Sequence, residues 1–431
     1  MKKFKFHAPL GMHDILPKEQ LAWQYFYKTC IDIASFYGFK RIDTPFLEPA
    51  ELFMKGTGEE SDIVQKQMYT IRGSRGNTLA LRPEGTPSVA RAYIERGMTN
   101  LPSPVKLYYA GPMFRRERPQ AGRFRQFHQF GVEAIGEQGP VSDAQIIQVF
   151  VVMFQALSIH DFTIHINSIG CSQCRPRYKK ALKDYYRGKL RQVCADCRNR
   201  YRKNLLRMLD CKDEKCQRVK AQAPPVLDYL CEECHNHLKS VLEFLDMTGF
   251  SYFVNPYLVR GLDYYTKTVF EIFPGDATAQ QEQLSALAAG GRYDGLIQLL
   301  GGKDTPAVGG AIGIERVLNI LRERNVPIGK EPQARIFLAQ LGELAKKKSL
   351  VLLEEFRKAK IPVNESLGRD SIKSQLRLAD KDGAEYTLIL GQKEVLDGTI
   401  IIREMNGGSQ ETVPMDKLVA QMKRRLARRK K

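Results

Sequence analysis

The chain has no uninterrupted apolar run approaching the roughly 20 residues that a membrane-spanning helix needs, so no membrane partner is expected. Its opening, Met1-Lys2-Lys3-Phe4-Lys5-Phe6, has neither an apolar core nor a small-residue cleavage site. No secretory leader is therefore expected, and the cytoplasm is the expected compartment. Acidic residues are few beside basic ones, 48 against 67, leaving a formal net charge of +19. Such an excess favours a polyanionic partner, most simply a nucleic acid, without separating RNA from DNA. Cysteine is scarce outside one window. Of nine, only Cys30 stands apart.

The other eight are Cys171, Cys174, Cys194, Cys197, Cys211, Cys216, Cys231 and Cys234, and three of the four pairs are C-x-x-C. In a reducing compartment this spacing suggests metal thiolates before disulfides. Two zinc sites of four cysteines each satisfy the arithmetic, but spacing does not specify which pairs meet. Such a zinc ion would be structural, because a closed thiolate tetrahedron leaves no open position for chemistry. His235, beside Cys234, is a further candidate ligand.

A length of 431 residues suits two or three domains. Trp23, Phe26, Tyr27, Cys30, Ile31 and Ala34 recur at helical spacing, which predicts a helix over about Leu21 to Tyr37 that Gly38 ends. A strand, Phe39 to Pro45, should follow. Asn77 to Thr86 is expected as a strand running into a loop, and Pro87 to Arg96 as a helix. The helical, basic segment from about Gly170 to Gly249 interrupts this pattern as an insertion between strands. Val308 to Gly313 is a small-residue strand leading into a helix. Residues 326–332 form a polar linker. From residue 333 strands and helices alternate, which predicts a separate α/β domain of about 100 residues. Seven of the last nine residues are Lys or Arg, a basic tail.

The most telling stretch is Phe114-Arg115-Arg116-Glu117 through Gln126-Phe127-His128-Gln129-Phe130-Gly131-Val132-Glu133. It is expected as a hairpin turning at Pro119 and Gly122. Strand alternation puts Arg123, Phe127, Gln129 and Glu133 on one face, and Phe124, His128, Phe130 and Val132 on the other. A cation, an aromatic plate, an amide and a carboxylate make a floor for a charged ligand that carries a ring.

The helix–strand unit ending at Pro45, the Phe-Arg-x-Glu hairpin and the strand leading into Glu315-Arg316 resemble, in order, the three motifs of class II aminoacyl-tRNA synthetases. Leu81-Arg82-Pro83-Glu84-Gly85-Thr86, Arg260-Gly261-Leu262-Asp263-Tyr264-Tyr265 and Gly290-Gly291-Arg292-Tyr293-Asp294-Gly295-Leu296 narrow the resemblance to the histidyl-tRNA synthetase family. The fold it implies is α+β: an antiparallel-sheet catalytic domain with a helical insertion (residues 1–325), then an α/β anticodon-binding domain (333–431). The activity it implies joins L-histidine to ATP, with Mg2+, and then to tRNA(His), in a homodimer built on the first motif. Its histidine pocket would comprise Glu84, Gly85, Thr86, Gln129, Glu133, Arg260, Tyr264, Tyr265 and Tyr293. Glu133, joined by Tyr264, would hold the imidazole. Glu84, Thr86 and Gln129 would hold the amino group, and Tyr265 and Tyr293 would wall the pocket. ATP would meet Arg115, Glu117, Arg123, Phe127 and Arg316, with Arg260 and Arg115 catalytic. The loop at Arg118-Pro119-Gln120 would lie near the tRNA acceptor end. His7, His13, His128, His160 and His165 are expected to serve structure. The regulatory subunit of ATP phosphoribosyltransferase shares the catalytic fold, but it lacks the C-terminal domain and tends to lose parts of the catalytic set, which is complete here. The cysteine pairs are not a general feature of the family, so zinc rests on spacing alone.

Overall fold

In the computed structural model, residues 6–73, 76–117, 123–275, 286–329 and 334–428 are described. Two compact units part between Ile328 and Gly329. In the first unit the strands are β1 (Lys40–Arg41), β2 (Leu47–Pro49), β3 (Tyr69–Arg72), β4 (Thr78–Leu81), β5 (Val105–Phe114), β6 (Gln126–Ile135), β7 (Phe162–Ser168), β8 (Tyr252–Val254), β9 (Thr266–Pro274), β10 (Ala288–Arg292) and β11 (Ala307–Gly313). The main sheet has the order β1-β5-β6-β11-β10-β9-β7-β8, and β2-β4-β3 form a small second sheet. From β5 across to β7 every pairing is antiparallel. The edges depart from the expected antiparallel sheet, since β1 runs parallel to β5 and β8 parallel to β7. A parallel pair needs a long crossover. The cysteine-rich insertion is the crossover between β7 and β8.

Helices cover one face of this sheet. Phe130, Val132 and Ala134 of β6 join Phe26, Phe150, Phe154 and Phe270 in the main core. Helix Pro140–Ala156 supplies much of it and is buried nearly all round, as its apolar composition requires. Phe127 and Ile135 belong to the cluster on the opposite face, together with residues of the insertion.

The first helix spans Pro17–Phe36, one turn longer at its start than periodicity suggested. Proline at its first position supplies a helical φ without wasting a donor, and the Glu19 carboxylate accepts from the Leu16 N–H at 3.1 Å. Gly38, at φ +83°, ends the run, as expected. The predicted strand from Phe39 to Pro45 shrinks to Lys40–Arg41. Beyond it, buried Arg82 takes the Thr44 carbonyl and hydroxyl at 2.9 and 3.0 Å and draws the chain off the ladder.

The second unit holds β12 (Ile336–Gln340), β13 (Val363–Glu365), β14 (Tyr386–Leu390), β15 (Thr399–Glu404) and β16 (Gln410–Pro414), in the order β13-β12-β14-β15-β16. Helices Glu343–Lys358 and Ile372–Lys381 connect the parallel strands. Strand β16 carries no apolar alternation that would announce it, since it is polar and only Val413 in it is buried. No helix among the described residues is long and apolar enough to cross a membrane. The expected hairpin turn at 118–122, residues 276–285, residues 330–332 of the expected linker and the last three residues lie outside the described residues.

Candidate active site

One cavity of about 350 Å³ opens on the exposed face of the main sheet. Glu84, Thr86, Arg115, Glu117, Arg123, Phe127, Gln129, Arg260, Tyr264, Tyr265 and Arg316 all line it. The sequence alternation in β6 holds for Phe127, Gln129 and Glu133. It fails for Phe124, which also lines the cavity. The strand begins only at Gln126, and the Arg125 N–H bonds the Gly11 carbonyl, so parity does not extend back to Phe124. Glu84 and Thr86 do not share an extended backbone either. Thr86 opens helix Thr86–Glu95, where Pro87 favours a helical start.

Two buried carboxylates organise the base of the site. Glu133 accepts from the Thr86 hydroxyl at 2.7 Å and from the Tyr293 hydroxyl at 2.6 Å. Glu84 accepts from the Tyr264 hydroxyl at 2.8 Å. The tyrosines are therefore paired differently from expectation: Tyr264 serves Glu84, and Tyr293 is the one that meets Glu133. Thr86 likewise turns towards Glu133. Burial pushes Glu84 up to about 7, against the pull of Tyr264, Arg115 and Arg260. Burial pushes Glu133 up to about 8, opposed by its two hydroxyl donors and reinforced by Glu84. Among the described residues, Glu84 Oε1 and Gln129 Oε1 are buried with no hydrogen-bond partner. Both are acceptors and suit a cationic group, while Arg260 Nε, buried and also without a partner, is a donor that suits an anionic one.

Guanidinium groups gather around these acceptors. Arg115 Nε donates to the Pro83 carbonyl at 3.0 Å, and its guanidinium lies 5.1 Å from the centre of the Phe127 ring. Arg316 Nη1 donates to the Ala286 carbonyl at 2.8 Å. Burial, then the charges of Arg115 and Arg123, lower its affinity for a proton. Glu117 lies 3.6 Å from Arg123. Arg260 is ion-paired with Glu271 and lies 5.8 Å from the Tyr265 ring centre. Arg115, Arg123, Arg260 and Arg316, set against the carboxylates of Glu117 and Glu271, are poised for a polyanion.

Sequence reasoning missed several residues. Tyr109 lines the cavity, buried between two glycines, and a Cβ on Gly85 or Gly131 would lie 2.3 or 2.2 Å from its ring. Gly131 faces Tyr109 across the ladder, and a glycine inside a strand is the signal that could have marked the close approach. Gly309 in β11 is constrained by Glu133, whose Oε2 would lie 1.7 Å from its Cβ. Arg292, fully buried, is paired to Asp143 and Asp294 and donates to the Glu137 and Gly139 carbonyls, anchoring the residue before Tyr293. His128 has the structural role expected of it, with Nδ1 2.8 Å from Glu315.

The cysteines fall into two nested tetrads: Cys171, Cys174, Cys231 and Cys234, and Cys194, Cys197, Cys211 and Cys216. Within each, all four sulfurs lie within 4.8 Å of one another. Cys171–Cys174, Cys171–Cys231 and Cys194–Cys211 are separated by 3.7, 3.9 and 3.8 Å. Zinc–sulfur bonds of about 2.3 Å in a tetrahedron put sulfurs about 3.8 Å apart, so both tetrads fit a tetrahedral metal ion. Backbone N–H groups of Cys231 and Cys194 donate to Cys174 and Cys216 sulfurs at 3.1 and 3.2 Å, the contacts that stabilise thiolates. The first tetrad ties the two ends of the insertion together. His235 belongs to neither.

Comparison with known proteins agrees with this geometry. The histidyl-tRNA synthetase family model matches residues 11–317, and an anticodon-binding domain model matches 332–425. A histidine–tRNA ligase of Dehalococcoides mccartyi is 45% identical over 98% of this chain and 100% of its own length. That of Halothermothrix orenii is 44% identical over 97% of this chain and 99% of its own. The crystal structure of apo S. aureus histidyl-tRNA synthetase superposes with a TM-score of 0.78 at 34% identity, covering 96% of this chain and 99% of that one. With a family model covering most of its first unit and relatives matched along nearly its whole length, this chain belongs to the histidyl-tRNA synthetase family.

Proposed function

We propose that the chain is a cytoplasmic, homodimeric ligase that activates L-histidine with ATP and passes the histidyl group to the 3′ end of tRNA(His). The observation that carries the reading is the paired-carboxylate pocket beside converging arginines. Glu133 receives an imidazole N–H, since a carboxylate retains acceptor positions beyond those used by Thr86 and Tyr293. The partnerless Glu84 Oε1 and Gln129 Oε1 receive the α-ammonium group. Tyr265 walls the pocket, and Gly85 leaves room for Tyr109.

The histidine carboxylate then attacks the α-phosphorus and pyrophosphate departs. No general base is needed, because that carboxylate is ionised at neutral pH. Arg115 and Arg260 stabilise the charge that develops on the α-phosphate. Phe127 stacks on adenine, and Arg123 and Arg316 meet the outer phosphates. Glu117, a hard oxygen donor among those arginines, fits the Mg2+ that accompanies ATP. Bound Mg2+ neutralises the β- and γ-phosphates. In the second step a terminal ribose hydroxyl of the tRNA attacks the activated carbonyl and AMP leaves. The basic charge steers the RNA, and the C-terminal domain reads unpaired anticodon bases.

Exposed Phe36, Phe46 and Leu47, beside the first motif, support a dimer face there. Each cysteine tetrad holds a structural Zn2+, as its sulfur spacing supports.

Charging of a tRNA(His) transcript with labelled histidine tests the reading, and protein that is folded yet charges nothing would contradict it. The pocket carboxyls add a pH signature. Their affinity for cationic substrate needs both ionised, and burial holds them partly protonated near neutrality. Histidine KM should therefore fall by at least about tenfold between pH 6 and pH 8, the change expected from the group near 7 alone, and further because the group near 8 must ionise too. For the ligand-free protein these two carboxyls predict the opposite trend. Their contribution to stability is fully present below about 4.5 and is lost as pH rises through about 7 to 8, because the unfolded chain ionises these carboxyls first. Urea unfolding across that range checks the sign.

A further inference from the structure

The insertion forms one wall of the active-site cavity. Leu209, Asp210, Lys212 and Gln217 line it together with Glu84 and Arg115. Next to that wall, Arg207 Nη2 donates to Asp62 at 2.7 Å, and its other nitrogen is paired with Asp210. Arg200 reaches the same Asp62 carboxylate at 3.4 Å, and Asn204 Nδ2 donates to Asp263 at 3.0 Å. Asp62 belongs to the catalytic body. Asp263 lies three residues after Arg260, in the irregular segment between β8 and β9.

That segment has no ladder of its own to fix it. Its shape comes from two sides. The Asp263 N–H donates to the Thr57 carbonyl at 3.0 Å, and Gly58, at φ +94°, makes room for the Asp263 carboxylate, which a Cβ would meet at 2.2 Å. On the other side, Arg207 packs so closely over Gly261 that a Cβ there would lie 2.9 Å from its Nη1. The Arg260 loop is thus gripped between residues 57–62 and residues 204–207.

The gripping residues lie between two ligands of the inner tetrad. Cys194 and Cys197 sit at the start of helix Ala195–Lys203, which carries Arg200. Cys211 directly follows Asp210. Between them Arg207 is held only in the short turn Leu205–Met208. Closing Cys194, Cys197, Cys211 and Cys216 on one metal ion fixes both ends of the stretch that holds Arg200, Asn204 and Arg207.

We propose that metal bound at Cys194, Cys197, Cys211 and Cys216 holds residues 200–210 as a clasp on the Arg260 loop, so that filling this site sets the rate of histidine activation. The clasp rests on the reading of Arg260 and of the tetrads given above. Arg207 and Asp62 act as positioning residues: Arg207 packs over the loop at Gly261, Asp62 holds Arg207, and neither lines the cavity. A loop released by as little as about 1 Å costs on the order of a hundredfold in rate where geometry is critical.

The test uses the full-length protein, with zinc per chain measured by elemental analysis and with pyrophosphate exchange resolved into kcat and KM. The wild-type protein should carry two zinc ions and Cys194→Ser one. For Cys194→Ser, kcat should fall at least about tenfold while the KM for ATP stays within about threefold. Asp62→Asn, which touches no cysteine, should keep both zinc ions and reproduce the kcat loss. The double variant should be no slower than the worse single one, because both break the same clasp. Normal kcat in Asp62→Asn, or losses that multiply in the double variant, would overturn the clasp. Should Cys194→Ser fail to fold, Asp62→Asn with intact zinc decides alone. Wild-type protein without zinc would remove the metal reading, whereas inactivity of the wild type itself would remove the proposed function.

Discussion

Replacing Arg260 by Gln is expected to lower kcat for adenylate formation by about a thousandfold, with the KM values for histidine and ATP changed far less. The magnitude follows from removing one preorganised donor to a charge that develops only in the transition state. Arg260 is suited to that task because Glu271, half-buried beside it, holds its guanidinium in the charged form and in one orientation. The variant should still fold. Breaking a fully buried pair costs about 3–5 kcal/mol when the remaining charge is trapped, and this pair, partly exposed in the cavity, costs less. Burial already raises the affinity of Glu271 for a proton, however, so without Arg260 it is neutralised instead. Arg260→Lys should recover little, since an ammonium group lacks the planar fork that meets phosphate and carboxylate together. Steady-state exchange kinetics, with circular dichroism to confirm the fold, measure both. A loss confined to KM would mean that Arg260 only binds.

Replacing Gly309 by Ala is expected to disable histidine recognition and leave the nucleotide end of the site largely intact. The added Cβ would fall 1.7 Å from Glu133 Oε2 and 2.6 Å from the Val132 carbonyl. The carboxylate can retreat, but the backbone of the neighbouring strand cannot. Glu133 then loses the 2.6 Å bond from Tyr293 and moves off the position where an imidazole would meet it. A charge-assisted hydrogen bond is worth about 1.5–3 kcal/mol, so histidine KM should rise by roughly tenfold to a hundredfold or more. The control lies in the same sheet region. Gly295 has φ −84° and open space around its missing Cβ, so Gly295→Ala should leave histidine KM unchanged. Isothermal titration of histidine into both variants separates them, and unimpaired binding by Gly309→Ala would remove Glu133 from the imidazole site.

Local pattern revealed a large part of this site. Phe127, Gln129 and Glu133 could be assigned to one face because a regular strand carries them. Phe124 could not, because it precedes the first ladder bond. What the sequence hid depends on contacts between distant segments. Nothing near Tyr109 announces that two glycines, at 85 and 131, will close on its ring. Nothing near Gly309 announces a carboxylate 176 positions earlier, beyond the run of small residues that β11 shares with β10. The tyrosines were recognised as pocket residues, but their partners were exchanged, since hydroxyl pairing depends on side-chain reach across three loops. The cysteine spacing allowed two tetrads but not their nesting, which required the helices of the insertion to fold back on its own entry.

The most direct test of the whole account is exchange of labelled pyrophosphate into ATP, run with Mg2+ and each of the twenty amino acids. The account predicts exchange with histidine alone. Exchange supported by another amino acid would contradict the pocket built on Glu84 and Glu133, and no exchange at all from folded protein would contradict the ligase reading itself.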